Sequence, residues 1–128
     1  MKTINKIIST SLIAIPLIAN AGDLKITNDT NFDLSFKINK LCSDGFGNVN
    51  SQTIKIVSES TLKKACAFNP KFCALTVYNK ANCGGKDFAK LGLDTRDGVI
   101  YIRVGGNDSV PVSVSASAFD LIFKSPVK

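Results

Sequence analysis

Three of the four cysteines lie in one stretch, Cys66 to Cys83, which reads CAFNPKFCALTVYNKANC; the fourth is Cys42. Nothing else in the chain restricts the fold so strongly, because every cross-link excludes the arrangements that would hold its partners apart. Asn69-Pro70 sits midway between Cys66 and Cys73. A two-residue turn there sets Phe68 opposite Lys71, Ala67 opposite Phe72 and Cys66 opposite Cys73. Directly opposed strand residues have Cβ atoms about 4.5–5.5 Å apart, close to the roughly 3.5–4.5 Å of a disulfide. Proline suits such a turn, with its preset φ and missing N–H. The preferred pairing is therefore Cys66 with Cys73, leaving Cys42 for Cys83 and tying an early loop to the tip of a later hairpin. Cys42–Cys66 with Cys73–Cys83 is the main alternative, since four cysteines allow three connectivities. A zinc site would want short ligand spacings, whereas these gaps are long and the chain has no histidine.

The compartment supports disulfides. Residues 1–21 carry Lys2 and Lys6, an apolar run from Ile7 to Ile18, and Ala19-Asn20-Ala21 as a small-x-small site, the order of a secretory signal peptide. Cleavage after Ala21 leaves a single domain over 22–128, in a periplasmic or secreted location. The formal charge falls from +6 to +4 as Lys2 and Lys6 are lost. No mature stretch has the length and apolarity of a transmembrane helix.

From Asp23 onward the dominant period is two. Leu24 and Ile26 alternate with Lys25 and Thr27, and Asn28-Asp29-Thr30-Asn31 is turn chemistry. Phe32, Leu34, Phe36 and Ile38 then alternate with polar residues, describing a sheet with one packed and one wet face. Ser43 to Ser51 reads as a long loop around Phe46, and Ile54 and Ile56 as a short strand. Thr61 to Phe68 is read as extended in preference to a helical turn capped by Ser58 or Ser60. Cys73 to Tyr78 and Lys86 to Leu93 follow as strands. Val99 to Val104, apolar on both faces except for Arg103, predicts a central strand with the highest burial in the protein. Gly105 to Ser109 is a glycine-rich turn, Pro111 argues that Val110 to Ala116 lies at an edge, and Ala118 to Lys124 ends the set. The pattern is all-β: a single small antiparallel β-sandwich of about seven to eight strands stabilised by two disulfides. Its expected core is Phe32, Leu34, Phe36, Ile38, Val77, Ile100, Ile102, Val104, Val112, Val114 and Leu121.

The opening LKITNDTNFDLSF, Leu24 to Phe36, and the spacing of Cys66, Cys73 and Cys83 resemble small exported proteins of intracellular gram-negative bacteria, over most of the mature chain. The resemblance implies secretion and a disulfide-linked β-fold. It implies no activity.

Without histidine the chain lacks the usual base for a serine or cysteine nucleophile and the commonest metal ligand. No cofactor is expected. Carboxylates are the surviving enzymatic route: Glu59 is the sole glutamate, and Asp29, Asp44, Asp94, Asp97 and Asp108 fall in turn segments. A small hydrolase or inhibitor-like effector would need Glu59 or an aspartate such as Asp94 in a pocket. Asp94, Asp97 and Asn107-Asp108 are calcium candidates without EF-hand spacing; ordinary turn residues are the plainer reading.

The basic residues point to binding instead. Lys63, Lys64 and Lys71 bracket Phe68 and Phe72, and Lys80, Lys86 and Lys90 follow. A rigid cationic tip with aromatic residues suits anionic lipid, an acidic glycan or an acidic protein surface. The competing reading is a solvated lysine face with the phenylalanines in the core. Nucleic acid is not expected, given two arginines and export. The sequence favours a non-enzymatic exported binding protein.

Overall fold

The computed structural model describes residues 22–38, 40–42, 46–105 and 110–125. Residues 1–21, expected to be a signal peptide, most of the Gly105–Ser109 turn, and Asp44, Asn107 and Asp108 lie outside the described residues.

Two sheets face each other. The first has the order β5-β1-β10-β9, built from β1 (Leu24–Asp29), β5 (Thr53–Val57), β9 (Ser113–Ser117) and β10 (Asp120–Lys124). The second has β2 (Leu34–Ile38), β6 (Cys73–Tyr78), β7 (Asp87–Asp94) and β8 (Gly98–Val104) side by side. The two-residue strands β3 (Leu41–Cys42) and β4 (Asn48–Val49) share the outer edge of β2. The β-sandwich with two disulfides read from the sequence is the observed fold. One strand pair departs from antiparallel: β1 runs parallel to β10, with Ile26 beside Leu121 and Asn28 beside Phe123.

Alternation fills the space between the sheets. Leu24, Ile26, Leu121 and Phe123 come from one sheet; Leu34, Phe36, Ile38, Leu75, Val77, Leu91 and Leu93 come from the other, and all are buried. A chain of aromatic contacts crosses the core: Phe46 to Phe36 at 5.5 Å, Phe36 to Phe123 and Phe123 to Phe88 at 6.1 Å, and Phe88 to Phe32 at 5.8 Å between ring centroids. Edge and tilted geometries of this kind add to simple burial. Phe46, read from the sequence only as part of a loop, is fully buried. The turn after β1 is anchored in the same way, because buried Asn28 donates from Nδ2 to the Phe32 and Val49 carbonyls at 2.8 and 2.9 Å. Its Oδ1 accepts the Thr30 N–H at 3.1 Å, so a buried amide is satisfied from both ends.

Three expectations are corrected. Val99 to Val104 is not central: β8 ends its sheet, and Ile100 and Val104 are 52% and 46% exposed. A register shift between Gly92 and Leu93 leaves Ile100 without a partner on β7, a bulge of the kind common at sheet edges. Ile102 faces inward opposite Leu91 but is only partly buried. Secondly, Glu59–Ala65 is an α-helix, α1. The Ser58 side chain accepts the Thr61 N–H at its N-cap and Leu62 is buried beneath it; an N-cap and one anchoring leucine outweighed the extended reading. Thirdly, Cys66 does not oppose Cys73 across a hairpin. It is the residue that ends α1, and the chain folds back through the 66–72 turn to reach Cys73.

Both preferred disulfides are present. Cys66 joins Cys73 with Cα atoms 5.4 Å apart, and Cys42 joins Cys83 at 5.8 Å. Cys83 closes a single turn of 3-10 helix, Ala81–Cys83. That turn sits on β2, where the Ser35 hydroxyl accepts the Cys83 N–H at 2.7 Å and donates to the Lys80 carbonyl at 2.5 Å.

Candidate basic-aromatic surface

The helix end and the cysteine turn bring Lys63, Lys64, Phe68, Lys71 and Phe72 into one continuous segment. Lys63 and Lys64 occupy the last turn of α1, where cations complement the helix dipole. Lys63 also reaches Glu59 at 3.0 Å, an exposed i,i+4 pair of modest worth. Lys64 and Lys71 are exposed. Phe68 is 90% exposed at the crown of the turn, an unusual position for a large apolar ring in a chain with a filled core.

The turn is held at several points. The buried Cys66–Cys73 disulfide closes its base. Within it Asn69 N–H donates to the Cys66 carbonyl at 3.1 Å and Phe72 N–H to the Asn69 carbonyl at 3.3 Å. From outside, the Thr95 N–H donates to the Pro70 carbonyl at 2.8 Å, fastening it to the turn between β7 and β8. Phe72 is not a core residue but neither is it free. Its ring lies over Gly92, where any Cβ would overlap it, and its centroid is 6.1 Å from that of Tyr101.

Two residues of this surface escaped sequence reading. Tyr101 lies in a strand that the sequence predicts to be buried, and Gly92 carries no visible signal, since its role is to leave room for a ring from elsewhere in the chain.

The carboxylate candidates are dispersed. Glu59 lines a cleft of about 730 Å³ with Gly22, Lys63, Thr95, Arg96 and Phe119. It is the single carboxylate among those residues, and Lys63 holds it. Asp94 Oδ1 accepts the Arg96 and Asp97 N–H groups at 2.8 and 3.3 Å, the backbone role that aspartate takes in turns. Among the described residues no group of three or more acidic or cysteine side chains is placed to hold a metal ion. No described helix is long and apolar enough to cross a membrane.

Fold and cross-links together define a disulfide-linked two-sheet β-sandwich. No protein-family model matches the chain, and no curated protein matches its sequence. Among solved structures it is similar to the Legionella pneumophila type II secretion system substrate NttC, with a TM-score of 0.66. The likeness covers 84% of this chain and 100% of that one at 14% identity, so what the two share is the fold.

Proposed function

We propose that this is an exported, non-enzymatic binding protein that engages an anionic surface through the turn between Cys66 and Cys73. The observation that carries the reading is Phe68, 90% exposed on a turn fixed by a disulfide and by the Thr95–Pro70 hydrogen bond, with Lys64 and Lys71 beside it. A turn whose backbone is already held has little further ordering to lose on contact, and flanking cations steer it toward negative charge. Export is supported by the signal-like residues 1–21 and by two disulfides, which persist in oxidising compartments. The fold shared with a bacterial secretion substrate fits that placement. The rival, a hydrolase or inhibitor-like effector, would draw on Glu59 and Asp94; the Lys63 ion pair and the Asp94 turn bonds favour binding over it.

Export is tested by the intact mass of protein recovered from periplasm or medium. The expected species begins at Gly22; one still carrying residues 1–21 in those fractions rejects the cleavage. Binding is tested at low salt with vesicles containing anionic lipid. Reversal of Lys63, Lys64 and Lys71 to Glu should weaken binding at least tenfold, mainly by slowing association, and Phe68→Ser should weaken it without changing its salt dependence. Equal binding by wild type and the triple variant would reject the turn as the contact.

A further inference from the structure

The outer face of the β2-β6-β7-β8 sheet carries an arrangement that appears only when strand register is known. Lys37 on β2 is paired with Thr76 on β6, Thr76 with Lys90 on β7, and Lys90 with Arg103 on β8. The flanking residues of these strands, Phe36, Ile38, Leu75, Val77, Ala89 and Leu91, are buried, so this row faces away from the core. Neighbouring strands are about 4.8 Å apart. Three cations therefore stand in one line about 14 Å long, perpendicular to the strands. Lys90 and Arg103 are directly opposed like charges, which destabilises a sheet. Both are exposed, and neither has an ion pair among the described residues. Folding offers no return for that repulsion; a bound anion would.

The row is bounded along both sides. Two residues nearer one end of the strands, about 7 Å away, lies the row Ala74, Gly92 and Tyr101, with the Phe72 ring seated over Gly92 beside Tyr101. On the other side are Ser35 and Tyr78, with Asp87, the one carboxylate of this row, paired to Tyr78 on β7 past a bulge. Ser35 is covered by the Ala81–Cys83 turn that the Cys42–Cys83 bond secures, and the Lys37 Nζ rests 5.4 Å from the Tyr78 ring centroid. The cationic line thus runs between two disulfide-held turns, with aromatic side chains along each margin.

We infer that this face binds an extended acidic polysaccharide lying across the strands, its carboxylate or sulfate groups on Lys37, Lys90 and Arg103. The apolar faces of its sugar rings would lie against Tyr101 and Phe72. Charge complementarity selects an anion, and the linear order with aromatic margins selects a chain of rings; a bilayer needs no such order. The inference goes beyond the proposed role of the Cys66–Cys73 turn and does not depend on it.

Two double variants separate the surfaces: Lys90→Glu with Arg103→Glu on the sheet, and Lys64→Glu with Lys71→Glu on the turn. Each changes the net charge by 2 × (−2) = −4, so a response to overall charge alone would be equal in both. Binding to heparin and to polygalacturonate is measured at low salt, with phosphatidylglycerol vesicles and polyglutamate as competitors and circular dichroism as the fold control. The sheet variant is expected to lose at least tenfold in polysaccharide affinity and the turn variant less than threefold. Tyr101→Ala, which alters no charge, should lose about fivefold. The inference is overturned if both double variants lose equally, if Tyr101→Ala binds as wild type, or if vesicles or polyglutamate displace the polysaccharide at lower charge concentration than free polysaccharide does. Loss of vesicle binding in the turn variant alone would leave this inference intact, and loss of polysaccharide binding in the sheet variant alone would leave the turn reading intact.

Discussion

Leu91→Asp is expected to prevent folding at ordinary temperatures, with a loss of more than about 4 kcal/mol. Leu91 is 1% exposed, in the middle of β7, flanked in register by Leu75 on β6 and Ile102 on β8. Those neighbours offer no hydrogen-bond donor to a carboxylate, which would be buried unpaired. The leucine itself gives up about 2 kcal/mol of burial. That sum is a large part of the roughly 5–15 kcal/mol that holds a domain of this size together. Ile100→Asp provides the contrast. Ile100 is 52% exposed at the bulge on β8, so its substitution should change stability by no more than about 0.5 kcal/mol. Urea melts of the two variants beside wild type make the comparison, with Ile102→Asp expected between them. If Leu91→Asp melted within 1 kcal/mol of Ile100→Asp, the placement of β7 inside and β8 at the edge would be wrong.

That contrast marks where the sequence could be read and where it could not. Strand β2 was legible because Leu34, Phe36 and Ile38 face one packed side, leaving the period of two unbroken. Val99 to Val104 misled because apolar residues on both faces usually mean burial on both sides. Here Tyr101 turns outward toward Phe72, and the bulge exposes Ile100. No local pattern in the strand reports a ring supplied from another turn. The helix Glu59–Ala65 is within reach of the sequence, since Ser58 offers a cap and Leu62, Lys63, Lys64 and Ala65 are good helix formers; the extended cysteine hairpin outweighs them. Its error is instructive, for the disulfide it argued for is present although the geometry is different. Proximity in sequence sufficed to favour the pair whichever backbone path closed the ring.

The candidate surface divides in the same way. Lys64, Phe68 and Lys71 are readable because they lie close together along the chain and the turn simply displays them. Lys37, Lys90 and Arg103 come from three strands, and only the pairings through Thr76 bring them into line. Register between distant strands follows from loop geometry and core packing together. A shift of one residue would turn the whole set to the other face.

Removing the Cys42–Cys83 link by substitution of both residues with alanine is expected to cost about 4 kcal/mol, the entropy of closing a ring with sequence separation 41. The shorter Cys66–Cys73 ring, separation 7, is worth about 2.5 kcal/mol on the same reckoning. Sequence reasoning therefore ranks the long link first by a clear margin, but burial narrows it. Cys66 and Cys73 are 2% and 3% exposed in the core, so alanine there also deletes two packed sulfurs, a loss comparable to about 0.8 kcal/mol for each buried methylene. The two double variants should accordingly melt within about 1 kcal/mol of one another for different reasons. The denaturant slope distinguishes the causes, since opening the long ring exposes more of the unfolded chain and should raise the slope more. Access to reductant follows burial instead. Cys42 is exposed while both sulfurs of the short ring are enclosed, so mild reductant with alkylation under native conditions should label Cys42 and Cys83 first. A Cys42→Ala, Cys83→Ala protein losing less than about 1 kcal/mol would show that the Ala81–Cys83 turn stays in place without its bond, through the hydrogen bonds of Ser35 and Asn48.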